Sequence, residues 1–257
     1  MKNDKLGQYY EGLACEGGFE ARCHMELPER SLVGARIVNV GCRRGKGTYK
    51  LSELVGADGF VIGVDWNEAF VEAARSGVPK ALERSGLSRC NIAFHVGFPE
   101  DLAAAGIEED WADFVYLNSS LSLFASPARA LRECYRVLAP SGVLLAEVPV
   151  AGPSRDADPM GTDERALVSA HSFADTHASC ASRASIIAAA RALPNAVQAA
   201  PTFGELVSWL AEAGFTEPVI RSERPLSSEE GSAPDCAVAT VPGDGATYRL
   251  LSLEVVR

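Results

Sequence analysis

A glycine-rich turn and an acidic residue that follows it are the features of this sequence best suited to bind a ligand. The turn reads VGCRRGKG over residues 40–47, and it would present backbone N–H groups at the start of a helix, where anionic groups are favoured. Asp65 lies 24 positions after Gly41, where a βαβ nucleotide site places a carboxylate that accepts the ribose hydroxyls. The adjacent Trp66 could lie over an adenine ring.

Two phosphate-binding motifs do not fit the turn. A P-loop has the spacing G-x-x-x-x-G-K-[ST], whereas Gly45 is one position too close to Gly41 and Gly47 follows the lysine. A dinucleotide-binding fingerprint needs a glycine where this turn has Arg43. A shorter ligand-binding turn and a plain strand-to-helix turn both remain open, and Asp65 could equally be an acid at a helix N-terminus.

Apolar runs that alternate with helix-like stretches predict an α/β fold for the chain. The predicted strands are 36–41, 60–65, 91–96, 112–117 and 142–148, and the predicted helices are 47–55, 67–83 and 127–137. Continuous apolar strands separated by helices are typical of a doubly wound parallel sheet covered on both faces. A helix that ends at Gly214 and strands near 217–221 and 246–256 would complete the sheet.

Charge and cysteine content exclude several classes of function. The chain of 257 residues carries 24 Lys+Arg and 34 Asp+Glu, a net charge of −10, which disfavours nucleic acid and anionic membrane surfaces as partners. It has neither an apolar leader nor an apolar run of about 18 residues, so we expect a cytoplasmic protein. Its 7 cysteines are scattered, and Cys15, Cys23 and His24 alone make a poor ligand set, so no metal site is expected.

Five segments resemble, in order, the motifs of class I S-adenosylmethionine-dependent methyltransferases. They are residues 37–45, 61–65, 94–102, 113–118 and 131–142. Within that superfamily the closest likeness is to arsenite methyltransferases, and it rests on residues 54–65, Tyr9-Tyr10 and the segment 246–253.

The resemblance implies a Rossmann-like, doubly wound, seven-stranded sheet with a mainly helical insertion after the fifth strand. It divides the chain into an N-terminal helical segment at 1–30, a cofactor-binding core at 31–150, an insertion that covers the substrate at 151–202, and a C-terminal helix and strands at 203–257. It also implies S-adenosylmethionine as cofactor and a small-molecule methyl acceptor. No pattern in the sequence specifies an oligomeric state.

The same resemblance assigns the cofactor site residue by residue. Methyl transfer by in-line attack needs positioning and exclusion of water more than an acid–base pair. The methionine tail would lie against the turn, the ribose on the carboxylate, and the adenine between two aromatic rings. The expected cofactor-binding residues are Gly41, Cys42, Arg43, Gly45, Asp65, Trp66, Phe98, Glu100 and Asn118.

Three positions depart from the family pattern. Asn39 replaces the family's acid at the end of the first strand, Arg43 replaces the middle glycine of the turn, and Pro99 lacks the N–H that would contact adenine. The Arg43 guanidinium would either pair with the methionine carboxylate or block the tail. These departures support an alternative hypothesis, in which the chain is a non-catalytic protein that binds S-adenosylmethionine or has a regulatory role.

A fourth departure concerns arsenic. Ser119 stands where arsenite methyltransferases have an arsenic-binding cysteine, while Cys180 in the insertion resembles the other one. Ser119 and Cys180 are therefore the candidate catalytic positions. Because trivalent arsenic needs at least two convergent thiolates, we expect no efficient arsenite methylation unless Cys15 or Cys23 replaces the missing sulfur.

Overall fold

The computed structural model describes residues 4–11, 13, 25–87, 89–154, 196–197, 199–227, 237–238 and 246–257. Most of the insertion expected at 151–202 lies outside the described residues, and so do Cys180, Cys15, Cys23 and His24. In the part of the chain that is described, no helix is long and apolar enough to span a bilayer.

Helices and strands alternate through the described chain as the sequence predicts. The helices are α1 (Asp4–Glu11), α2 (Lys46–Val55), α3 (Glu68–Ser85), α4 (Pro127–Val137) and α5 (Phe203–Ala213), with a short 3₁₀ helix at Leu121–Leu123. The strands are β1 (Arg36–Val40), β2 (Phe60–Asp65), β3 (Ile92–Val96), β4 (Ala112–Asn118), β5 (Leu138–Ser154), β6 (Val219–Ser227), β7 (Ala237–Val238) and β8 (Ala246–Val256).

The strands form one mixed sheet in the order β3-β2-β1-β4-β5-β8-β6-β7. The first five strands are parallel, while β8 is antiparallel to both β5 and β6. This topology confirms the predicted Rossmann-like class I methyltransferase fold. The sheet has one strand more than the seven expected, because the two-residue strand β7 pairs with the end of β6.

Strand β5 extends well beyond its predicted end at Val148. Its register with β4 ends at Glu147, but its ladder with β8 continues to Ser154. Pro149 therefore lies where β5 has no β4 neighbour, which is the kind of position that tolerates a residue without an N–H.

Local sequence signals fix the ends of two helices. The Asn67 side chain accepts the Phe70 N–H at 3.0 Å and begins α3, as the sequence predicts. Thr202 and Glu205 form a capping box at the start of α5, and Gly214 ends that helix with φ 100°.

Two apolar layers cover the central strands. Helices α4 and α5 pack on one face through residues such as Leu131 and Leu206, beside Val38 of β1. Helix α2 packs on the other face through Leu51 and neighbours Ile37. Both faces of the parallel strands are therefore buried, which leaves the strand ends as the accessible edges of the sheet.

The order of the parallel strands places a crevice at one edge of the sheet. From β1 the chain first adds β2 and β3 on one side and then adds β4 and β5 on the other. The carboxyl ends of β1 and β4 are therefore the topological switch point, which is where open α/β sheets bind ligands. Gly41 follows β1 and Ser119 follows β4, so the two loops that flank this crevice begin at these residues.

Candidate functional site

Several backbone N–H groups of the glycine-rich turn are hydrogen-bonded within the protein. The Gly41 and Cys42 N–H groups donate to the Val64 carbonyl at 2.8 and 3.1 Å, and the Gly45 N–H donates to the Cys42 carbonyl at 3.0 Å. The Arg43 N–H donates to Asp65 Oδ2 at 2.8 Å. These four N–H groups of the turn are therefore hydrogen-bonded within the fold.

Arg43 adopts a left-handed backbone conformation with φ 49°, which explains why a glycine suits this position. The centre of its guanidinium lies 5.4 Å from the centre of the Phe70 ring in α3, and that of Arg44 lies 4.4 Å from the same ring. The Arg43 side chain thus packs beside α3, and its N–H supports the Asp65 carboxylate.

Asp65 is buried at the end of β2, with 1% of its surface exposed. Its Oδ1 accepts the Asn67 N–H at 2.9 Å, and its Oδ2 accepts the Arg43 N–H. Burial raises the pKa of this carboxyl, while the two backbone hydrogen bonds and the nearby Arg43 oppose the rise. A carboxylate has about four acceptor positions, so Asp65 retains capacity for hydroxyl donors.

Tyr10 lies on both rings that the sequence assigned to adenine. Its ring stacks on Trp66 with centroids 4.6 Å apart, and on Phe98 with centroids 5.4 Å apart. The Tyr10 hydroxyl donates to Glu100 at 2.8 Å, and the Tyr9 hydroxyl donates to the Leu123 carbonyl at 2.8 Å. Helix α1 thereby covers this end of the crevice, a role of Tyr10 that sequence reasoning missed.

Glu100 is a buried anchor between α1 and the loop after β4. Besides the Tyr10 hydroxyl, its carboxylate accepts the Ser126 N–H at 3.0 Å. Burial raises the pKa of Glu100, and the hydrogen bonds from Ser126 and Tyr10 limit that rise. Glu100, a predicted cofactor-binding residue, is therefore hydrogen-bonded to other residues of the protein at the border of the site.

We expect Glu100→Gln to remove a pH dependence from the stability of the fold. Because the folded-state pKa of Glu100 is raised above its usual 4.5, its contribution is complete below that value and is lost as the pH rises through the folded-state pKa. The unfolding free energy of the wild type should therefore fall relative to the variant on going from acid to neutral pH. Urea unfolding of both proteins across this range measures the difference.

Glu133→Gln is the opposite control for that experiment. Burial alone would raise the pKa of Glu133, but hydrogen bonds from Arg136 and the Ala103 N–H outweigh burial and lower it. The stability that this carboxylate contributes is therefore lost at acid pH, below its usual range. If the two variants showed the same pH trend, the assignment for Glu100 would be wrong.

Asn39, which departs from the family pattern, and Cys42, a predicted cofactor-binding residue, are both buried in the fold. The Asn39 amide donates to Thr48 Oγ1 at 2.9 Å, so this replacement of an acid makes a local hydrogen bond. Cys42 is buried, and burial followed by the nearby Asp65 raises the pKa of its thiol. A thiol held in its neutral form packs rather than reacts.

The loop after β4 faces the glycine turn. Asn118 ends the strand half-buried, and Ser119 is buried with φ 52° and donates its N–H to the Glu147 carbonyl at 2.8 Å. Ser120 is also buried, and an ideal Cβ on Gly41 would lie 2.7 Å from its Oγ. A side chain at position 41 would therefore clash with Ser120 where the two loops meet.

Within the described residues, no group of three or more His, Cys, Asp or Glu side chains could hold a metal ion. The polar groups at the crevice are Asp65, Asn118 and the serines of the loop after β4. They are hydrogen-bonding groups suited to an organic ligand.

A family model described as a methyltransferase domain matches residues 32–214. The chain belongs to the methyltransferase domain family. The crevice between β1 and β4 lies within the matched region, together with Asp65 and both loops that flank it.

Curated relatives of the methyltransferase chain include arsenite methyltransferases. That of Mus musculus is 38% identical over 122 residues, which cover 48% of this chain and 32% of the relative. That of Aquipseudomonas alcaligenes is 28% identical over 227 residues, which cover 87% of this chain and 56% of the relative. The chain therefore spans only about a third to a half of the length of these relatives.

A solved structure supports the fold of the described residues. An arsenic(III) S-adenosylmethionine methyltransferase from Chlamydomonas reinhardtii superposes with a TM-score of 0.68 at 22% identity, covering 99% of this chain and 71% of that one. The predicted resemblance to class I methyltransferases, and among them to arsenite methyltransferases, is confirmed.

Three observations test whether the crevice fits S-adenosylmethionine. Asp65 stands beside the glycine turn with acceptor capacity, and the buried Ser120 hydroxyl has no hydrogen-bond partner among the described residues. The absence of a side chain at Gly41 makes room for the Ser120 hydroxyl at the junction of the two loops. These features fit a ribose and a polar tail, whereas Tyr10 lies against the rings expected to bind adenine.

Proposed function

We propose that this protein is an S-adenosylmethionine-dependent methyltransferase that acts on a small molecule and does not methylate arsenite efficiently. The observation that carries the proposal is the placement of Asp65 and the two loops at the switch point of a methyltransferase fold. Asp65 would hold the ribose, and Gly41, Cys42, Arg43 and Gly45 would line the methionine tail.

The chain's own residues would bind the cofactor and exclude water from it. When bound, S-adenosylmethionine supplies a methyl group on a sulfonium centre that a nucleophile can attack. Trp66 and Phe98 would contact the adenine if the Tyr10 ring moved away from them or along them. Glu100 and Asn118 would lie at the border of the site. Burial of Asp65 keeps water from competing for its oxygens.

The described cysteines support the expected weakness towards arsenite. Ser119 offers a hard, un-ionised hydroxyl in place of a thiolate. Cys134 is buried in α4, Cys90 precedes β3 at the opposite edge of the sheet, and Cys42 has a raised thiol pKa. Unless Cys15 or Cys23 supplies a second thiolate, Cys180 would then be a single anchor, and one thiolate does not displace the oxygen ligands of arsenite.

The test combines binding and turnover. Calorimetric titration with S-adenosylmethionine should show binding, and purified protein given arsenite and a thiol reductant should form little methylarsenic. Ser119→Cys should gain this activity, and Cys180→Ser in that background should remove the gain. Absence of binding would overturn the cofactor assignment, and robust wild-type turnover abolished by Cys180→Ser would overturn the claim about arsenite.

A second candidate function is a non-catalytic protein that binds S-adenosylmethionine or regulates another activity. It is favoured by Tyr10, which stacks on both proposed adenine-binding rings, and by the left-handed Arg43 in place of a glycine. Both candidates predict binding. Transfer of a labelled methyl group to any acceptor in a small-molecule extract of cells occurs only if the protein is an enzyme.

A further inference from the structure

The Ser120 hydroxyl occupies an unusual position at the β1/β4 crevice. Ser120 is 4% exposed, and its Oγ makes no hydrogen bond with any residue that the structure describes. The residue stands at the N-cap of the 3₁₀ helix Leu121–Leu123, yet its side chain does not cap that helix. A buried hydroxyl without a partner is costly, so a ligand group that bonds to it would gain from that interaction.

The distance to Gly41 shows where the Ser120 hydroxyl points. The Ser120 Oγ lies 2.7 Å, and its Cβ 3.0 Å, from the position that a Cβ on Gly41 would take. The side chain therefore points from the loop after β4 to the turn after β1. Because these two loops flank the switch point, the hydroxyl is directed into the crevice where ligands bind.

Four N–H groups of the glycine turn are already engaged. Those of Gly41, Cys42 and Gly45 donate to backbone carbonyls, and that of Arg43 donates to Asp65. A charged ligand group beside these residues therefore needs another donor or acceptor. The preceding residue, Ser119, holds a left-handed conformation with φ 52°, a strained geometry of the kind found at ligand-binding loops.

We propose that Ser120 is a cofactor-positioning residue whose hydroxyl hydrogen-bonds the amino-acid end of S-adenosylmethionine. This inference rests on the proposed function. A hydroxyl can donate to a carboxylate or accept from an ammonium group, so it suits either charged group of that tail. Ser120 would distinguish ligands that carry the amino-acid tail from adenosine derivatives that lack it.

The test compares two ligands of the full chain by calorimetry. S-adenosylhomocysteine carries the tail, whereas 5′-methylthioadenosine lacks it. Ser120→Ala should weaken S-adenosylhomocysteine binding by roughly tenfold or more, as expected for a hydrogen bond to a charged group, and should leave 5′-methylthioadenosine binding unchanged. The ligand-free variant should unfold at the same temperature as the wild type or higher, because the lost hydroxyl has no partner in the fold.

Ser122→Ala is the matched control on the same loop. The Ser122 hydroxyl is buried but donates to the Ala196 carbonyl at 2.9 Å, so this variant should lose stability and affect both ligands alike. Equal effects of Ser120→Ala on both ligands, or a large loss of ligand-free stability, would overturn the role of Ser120. If the wild type bound neither ligand, the proposed function and this inference would both fail.

Discussion

Arg224→Ala is expected to destabilise the protein by about 3–5 kcal/mol. Arg224 in β6 donates to Glu147 of β5 at 3.2 Å, and Glu147 is 2% exposed. Removal of the guanidinium would leave this carboxylate charged in a buried site, which is costly whatever the pair itself contributes. Urea unfolding of the variant and the wild type measures the loss.

Arg249→Ala is the matched control on the neighbouring strand. Arg249 in β8 donates to Glu223 at 2.7 Å, but this pair is partly exposed, with side-chain exposures of 27% and 40%. Its removal should cost no more than about 1 kcal/mol. A second mutation, Glu147→Gln, should recover part of the loss in Arg224→Ala. Similar stabilities of Arg224→Ala and Arg249→Ala would contradict the importance of the buried pair.

Asp65→Ala should weaken S-adenosylmethionine binding by about a hundredfold or more. Two ribose hydroxyls that donate to a carboxylate contribute about 1.5–3 kcal/mol each. The affinity of the wild type should also fall at acid pH, because burial raises the pKa of Asp65 and the protonated group is a poorer acceptor. Calorimetric titration over a range of pH measures both effects.

A control must separate the loss of a ligand contact from the loss of the hydrogen bond by which Asp65 supports the glycine turn. Asp113, at the opposite edge of the sheet, also accepts a backbone N–H, from Arg36 at 2.8 Å. Asp113→Ala should therefore remove a comparable support without any effect on the cofactor. An affinity of Asp65→Ala within twofold of the wild type would exclude the ribose role.

Local sequence patterns were sufficient to predict most of the sheet. Helix α4 and strand β8 have the predicted bounds, because their apolar periodicity and the terminal proline signal of α4 are local. Strand β5 could not be predicted in full. Its extension past Pro149 depends on pairing with β8, which lies about a hundred positions later in the chain.

The sequence predicts the candidate site only where the order of the strands determines which residues lie next to each other. Asp65 and the glycine turn end adjacent parallel strands, so their proximity follows from the fold class. The contact between Tyr10 and Glu100 joins residues 90 positions apart, and no local pattern reveals it. The same is true of Ser120, whose direction depends on how two loops meet.

The position of β8 has a consequence for the order in which the protein assembles. β8 follows β6 in the chain but lies between β5 and β6 in the sheet, and it pairs Val256 with Val143. During synthesis, strands β1 to β5 can join before β8 exists, and until then the apolar edge of β5 remains open. Such an edge is a template for pairing with other chains, so we expect the nascent protein to be prone to aggregate until β8 pairs with β5.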